Sequence, residues 1–419
     1  MIQNLAQRIA SFELWLVGAL VLASLFWSQL LIVAVVTLFL FGGIHKLAYG
    51  YFSLRTPVDW GVLLLVCTAL ISTAISYLPQ ITTVQVLRLF SGVALFYAVI
   101  NWALTLKRIN LLLVLVLILS MGLALFALVS VEWSFAKLHL VPATFSERLT
   151  ILVVDTANPN VMAGNLVLFA PIAFSLMVFY ALSPGFGKYR SVLSIFIVLA
   201  FSLITAVIVM TLSRTAWIAY SLAIALICIL RWRRGWMAVL ALCILGIGYL
   251  FIFPPSGLTE TLLASQGLGS VAGRLEVWTR AIFMIQDFPV TGIGMGTYKD
   301  LAVMYYPFSS VSVDRITHAH NLYLQIALDL GLPGLVAWLS VMLGVILVSA
   351  KLYRAGIKSG QRWWAALGAG YLGSMLALMI GGLFDAVTWG GVRPAPIVWM
   401  LWGCVIAFWH YTVGIESGS

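Results

Sequence analysis

The sequence predicts an all-α polytopic membrane protein with about twelve transmembrane helices, and three observations predict it. The 419 residues are 63% apolar and 9% charged, with a mean hydropathy of +1.09; soluble chains carry about 25% charged residues. Apolar runs of membrane-spanning length recur from one end to the other, with short polar breaks between them. The charges divide between alternate connections, strongly basic on one side and mixed on the other. A soluble domain with a single anchor is excluded. Nucleic-acid binding is excluded too, because a net charge of +10 scattered through short loops offers no contiguous basic face.

The run 12–46 is too long for one span and splits at Phe26–Gln29 into 12–27 and 29–46. Spans follow at 58–77, 82–102, 109–130 and 160–181. The run 190–230 divides at Ser213 and Arg214 into 190–210 and 213–230, and 236–253 comes next. The helix at 320–350 is expected to break at Gly331-Leu332-Pro333-Gly334, since proline and glycine interrupt a helix. Spans at 362–384 and 394–413 complete the set. The first run continues into further spans, so it is expected to act as an uncleaved first helix. Cys67, Cys228, Cys243 and Cys404 all lie inside apolar runs with no CxxC spacing, which predicts neither a redox nor a zinc site. The whole chain, 1–419, is expected to form one transmembrane domain.

Fourteen basic residues and three acids fall on one side, eight and nine on the other, with Arg88 and Asp329 inside or near the membrane. The positive-inside rule places the basic side, and both termini, in the cytoplasm. The two long connections, 131–159 and 254–318, then lie outside, where long ordered loops tend to carry function. Within 254–318, Leu275, Trp278, Ile282 and Ile285 recur at helical spacing, which predicts an amphipathic helix on the outer surface.

A set of polar positions stands out at that outer interface. Arg214, in Leu-Ser-Arg-Thr-Ala-Trp (212–217), sits between two spans, where an arginine costs roughly 2.5–3.5 kcal/mol to insert. Arg88 falls about six residues inside its helix, roughly 9 Å deep, at headgroup depth. Arg274 opens the amphipathic segment, and Glu276 and Arg280 are spaced to pair with each other. His320, with Asn321 beside it, opens a long apolar helix, and a neutral imidazole there suits proton transfer from a hydroxyl. His318 and Arg148 complete the set. Each position has a bland alternative: a snorkelling arginine, a lipid-headgroup contact, a capping histidine. A metal site would need a third ligand, for which Asp314 is the nearest candidate, with nothing in its spacing to recommend it. Arginines bind phosphate oxygens bidentately, so the set fits a lipid-linked diphosphate with a histidine beside it.

These motifs resemble the O-antigen ligase and O-antigen polymerase superfamily. The resemblance rests on His320-Asn321, nine residues, then Gly331 and Gly334; on Ser-Arg-Thr-Ala-Trp (213–217); on Gly-Arg-Leu-Glu-Val-Trp (273–278); and on Val-Thr-Gly-Ile-Gly-Met-Gly-Thr-Tyr (290–298). It is strongest over 190–350. Farther toward the N-terminus it rests on the span pattern and Asn-Pro-Asn (158–160), which brings in Asn160. Ile218 replaces the leucine that some ligases carry four residues after the arginine. The resemblance implies a GT-C-like, metal-independent inverting glycosyltransferase without a cofactor, in the bacterial inner membrane. The donor would be an undecaprenyl-diphosphate glycan and the acceptor a lipid-linked or glycan hydroxyl such as lipid A-core. Arg214 and Arg274 would hold the diphosphate and His320 would act as base or orienting group. A polymerase shares this donor chemistry. A transport role related to inorganic carbon is the alternative of another class, but a transporter places its ionisable residues near the midplane and shows paired broken helices; here they gather at one interface and one break is visible.

Overall fold

A computed structural model describes residues 2–131, 133, 157–182, 188–237, 239–240, 244, 271–309, 316–390 and 394–417. Among these residues the structure is helical, without a strand. Helices α1 (Ile2–Ala10), α2 (Glu13–Ser24), α3 (Leu30–Tyr49), α4 (Asp59–Ile75), α5 (Pro79–Trp102) and α6 (Leu106–Ser130) come first. Next are α7 (Pro159–Leu176, continued by a π-turn, Met177–Ala181), α8 (Lys188–Met210), α9 (Arg214–Arg231), α10 (Val271–Asp287) and α11 (Tyr298–Tyr305). Then follow α12 (Leu322–Lys358), α13 (Arg362–Gly382) and α14 (Pro396–Ser417).

Among the described residues, eight helices are long and apolar enough to cross a membrane: α3, α5, α6, α7 with its π-turn, α8, α9, α12 and α13. The pair α1–α2, bent by 40°, makes a ninth if it is one broken span. Helix α4 is apolar but has 17 residues, about 25 Å against a hydrocarbon core of about 30 Å. The span expected at 236–253 lies largely outside the described residues. Helix α1 was not expected. Gln3, Asn4, Gln7 and Arg8 make it too polar for a span, and Gln3 and Gln7 donate to the Ala48 carbonyl at 3.2 and 3.5 Å.

The chain forms two compact units. The first comprises Met1–Ala98, Trp232–Gly344 and Gly382–Trp399. Its core includes Trp338, whose ring meets Trp389 and Trp399 edge-on at 5.0 and 6.0 Å. Tyr97 donates to Asp59, which also accepts from Thr56. The second comprises Val99–Arg231, Val345–Gly381 and Met400–Ser419. There α6, α7, α8 and α9 pack together, Ser175 bonds the Ala366 carbonyl at 2.7 Å, and Tyr353 bonds that of Leu230 at 2.7 Å. Helices α8 and α9 expose Val192, Ile195, Leu199, Ile218 and Leu222, surfaces suited to lipid because every backbone polar group is satisfied inside the helix.

Candidate functional site

The site is assembled in the first unit at the start of α12. Asn321 is the N-cap: its Oδ1 accepts from the Tyr323 and Leu324 amides, both at 3.0 Å, satisfying two donors that an isolated helix start leaves open. Its Nδ2 donates to the Leu383 carbonyl at 3.0 Å, tying the cap to the connection after α13. One turn on, Gln325 Oε1 accepts from the Ala319 amide at 2.8 Å. Between these clamps His320 adopts φ +47°, a left-handed conformation for a residue with a Cβ, which costs on the order of 1–3 kcal/mol and persists where the surroundings enforce it. Its own amide donates to His318 Nδ1 at 3.1 Å. The helix therefore begins at Leu322, and His320 precedes the cap instead of opening the helix.

That backbone brings both histidines to one carboxylate. His318 Nε2 and His320 Nδ1 lie 3.5 and 3.6 Å from Asp385 Oδ1, and the ring centroids are 4.3 Å apart. The tautomers follow from the neighbours. His318 Nδ1 accepts a hydrogen bond, so in the neutral ring Nε2 carries the proton and faces Asp385. Burial holds His318 down at about 4, with His320 adding to the effect and Asp385 partly opposing it. Burial alone would raise the Asp385 pKa, but the close approach of His320, the two imidazoles and the Ala386 amide (2.9 Å) outweigh it and hold Asp385 below the usual carboxylate range. With His320 Nδ1 turned to the carboxylate, Nε2 is the ring's remaining nitrogen. It is buried, with no hydrogen-bond partner among the described residues.

His318, His320 and Asp385 offer ligand atoms within 4.8 Å of one another, close enough for a metal ion. The tautomer argues against one. A neutral imidazole has a single lone pair, and that of His318 is already at Nδ1, engaged by the His320 amide.

Below the cap, α12 breaks where the sequence places the break. Gly331 has φ 73° and ψ 176°, and the glycine-rich segment 289–296 fills the gap. The Ile293 amide bonds the Leu328 carbonyl and the Leu332 amide bonds the Pro289 carbonyl, each at 2.7 Å. A Cβ on Gly331 would stand 2.3 Å from the Val290 oxygen, and one on Gly292 (φ 67°) 2.6 Å from the Gly331 nitrogen. The glycines thus permit backbone to touch backbone.

Arg274 is half-buried on α10. That helix packs Val277, Ala281 and Met284 into one core with Ile316, Ala319 and Leu328, so it shares a foundation with the histidines. Arg88, on α5, donates through Nη1 to Gln85 at 2.8 Å and to the Gly390 carbonyl at 3.0 Å, gripping the connection that carries Asp385. Arg214 is exposed at the start of α9, in the second unit, after a turn in which Leu212 has φ 53° and Trp217 donates to the Ile208 carbonyl. Leu212 and His320 are the two non-glycine residues with positive φ among those described, and both adjoin predicted site positions. Asn160 is exposed in the first turn of α7, which Asn158 caps. Arg148, and the weighed metal candidate Asp314, lie outside the described residues. Sequence reasoning missed Asp385. The available signal was an acid in an apolar stretch between two spans, 65 positions from His320 with no motif linking them.

Residues 199–339, which carry Arg214, Arg274, His320 and both glycines of the break, match the family described as O-antigen ligase. Over about a third of the chain, this match supports the O-antigen ligase superfamily. No curated protein matches the chain. The matched family supports a ligase- or polymerase-type glycosyl transfer with lipid-linked glycan substrates in a membrane setting. Asp385 and Arg88 lie outside the matched residues and enter on geometry alone.

Proposed function

We propose that the protein is a GT-C-like inverting O-antigen ligase. It moves a glycan from undecaprenyl diphosphate to a hydroxyl of lipid A-core, at the periplasmic face of the inner membrane, with both termini cytoplasmic. The observation that carries this reading is His320: Nδ1 faces Asp385 and Nε2 is buried without a hydrogen-bond partner among the described residues. A base so arranged can take the acceptor proton at Nε2 while Asp385 supports the imidazolium that forms. The acceptor oxygen bonds to the anomeric carbon as the carbon–phosphate-oxygen bond breaks on the opposite face, which inverts the centre. The departing diphosphate takes the electron pair. Arg214 and Arg274 are proposed to receive its charge through bidentate hydrogen bonds, with Arg88 a third arginine already oriented by Gln85 and Gly390. His318 supports the same carboxylate, Asn321 fixes the histidine backbone, and Asn160 and Arg148 are proposed as secondary site residues. The apposition of ring and carboxylate, 3.6 Å, is longer than a hydrogen bond and is expected to tighten around substrate.

Purified protein given the lipid-linked glycan and lipid A-core tests the proposal. His320→Ala and Arg214→Ala should each abolish transfer, and EDTA should leave it unchanged. Transfer to a second lipid-linked repeat instead of lipid A-core would make the protein a polymerase. Undiminished transfer by His320→Ala would overturn the base.

A further inference from the structure

Asp329 lies on α12 just before the break, is 1% exposed, and is an acid placed among apolar spans. Its Oδ1 accepts from the Gly296 amide at 3.2 Å and from Gln325 Nε2 at 2.9 Å, and its Oδ2 accepts from Trp389 Nε1 at 2.8 Å. The orientation of the Gln325 amide is settled by its other end: Oε1 receives the Ala319 N–H, so Nε2 must face the aspartate. Trp389 in turn donates its backbone N–H to the Ala386 carbonyl at 3.1 Å, within the turn that begins at Asp385. The Asp329 main chain is fixed as well, its carbonyl accepting from Ser72 at 2.5 Å.

One carboxylate thus reaches both halves of the site through one intermediary each. Gln325 leads to the amide between the two histidines, and Trp389 leads to the turn bearing the acid they face. An aspartate meets this pattern because both its oxygens accept. An asparagine would turn an N–H toward one of three donors, and a buried donor facing a donor is costly. We infer that Asp329 is a positioning residue of the transfer reaction: through Gln325 and Trp389 it sets the distance and facing of the His320 ring and the Asp385 carboxylate. This rests on the proposal that His320 is the base.

The test compares steady-state kinetics of the purified full chain and four variants, with folding followed by size exclusion and thermal melting. His320→Gln should be inactive. Asp329→Asn should lower kcat about tenfold to a hundredfold, as small misplacements do, with KM for the lipid-linked donor within about twofold. Adding Gln325→Glu to Asp329→Asn moves the acid by one helical turn. The new carboxylate accepts from Ala319 and from the amide at 329, whose oxygen still meets Trp389; the Gly296 N–H alone is left facing an N–H, so kcat should recover in part, at least about threefold over Asp329→Asn alone. Loss of packing would not be repaired by that exchange. If Asp329→Asn fails to fold, Trp389→Phe removes one donor and keeps the ring, and should lower kcat at unchanged KM. Wild-type kcat in the variant that is assayed, or no recovery in the double variant, overturns the inference while an inactive His320→Gln leaves the base standing. An active His320→Gln overturns both.

Discussion

Among the described residues of the first unit, the pairs His45–Glu13 and His320–Asp385 differ in nearly every respect that matters for chemistry. His45 and Glu13 are 2.6 Å apart, each side chain 2% exposed. The His45 ring is stacked near Tyr49 and Tyr51 within the regular helix α3. His320 and Asp385 are 3.6 Å apart and 19% and 14% exposed. They sit on a left-handed backbone and in a turn, and the carboxylate is shared with a second imidazole. The first pair is closed: its contact is already at hydrogen-bond length and its surroundings hold it there. The second is held near contact and can still respond to a proton arriving at Nε2. Proximity of histidine to acid is therefore a poor guide to reactivity. Slack and an enforced backbone mark the pair proposed to work.

Asp385→Asn should break the comparison most sharply. Without the carboxylate the imidazolium loses its support, and kcat should fall on the order of 10²-fold or more. Wild-type kcat would reduce Asp385 to a bystander. Next comes Glu13→Gln. It should leave transfer per folded molecule unchanged while lowering stability by about 1–3 kcal/mol, the usual cost of weakening a buried hydrogen bond to a charged group, read as a fall in Tm. Impaired turnover with unaltered melting would invert the assignment of the two pairs. The smallest effect is expected at His318. Burial keeps it neutral in the folded chain down to about 4, whereas unfolded it protonates near 6.5. Between these values the unfolded chain binds more protons, so stability is full above 6.5 and declines as the pH drops toward 4. His318→Gln lacks that decline, so its Tm should change less between pH 7 and pH 5 than that of the unaltered chain.

Much of the helical plan is legible in the sequence, because apolar runs of spanning length leave a chain few alternatives in lipid. The break at Gly331 could be anticipated from glycine and proline spacing. Helix α1 could not, since a search for apolar runs passes over an amphipathic segment. On the site, His320 and Asn321 are visible as a polar cluster before a helix, yet what each does depends on partners far along the chain. Asn321 spends its side chain on the cap and on Leu383, a contact across 62 positions. Arg88 is prominent from its depth, but its hold on Gly390 spans 302 positions and has no local sign. Asp385 and Asp329 carry meaning only once folding brings three segments together. Periodicity records which faces are apolar, and it is silent on which polar groups will meet.

The interlock at the helix break bears on how this domain can be altered. The Leu328 carbonyl and the Leu332 amide, on either side of Gly331, are satisfied by Ile293 and Pro289, and Gly292 leaves no room for a Cβ against this stretch of α12. Chimaeras that exchange acceptor-facing parts between related enzymes should therefore transplant 289–334 as a single cassette. A crossover placed between the two strips would separate a lock from its key and yield protein that inserts but does not mature.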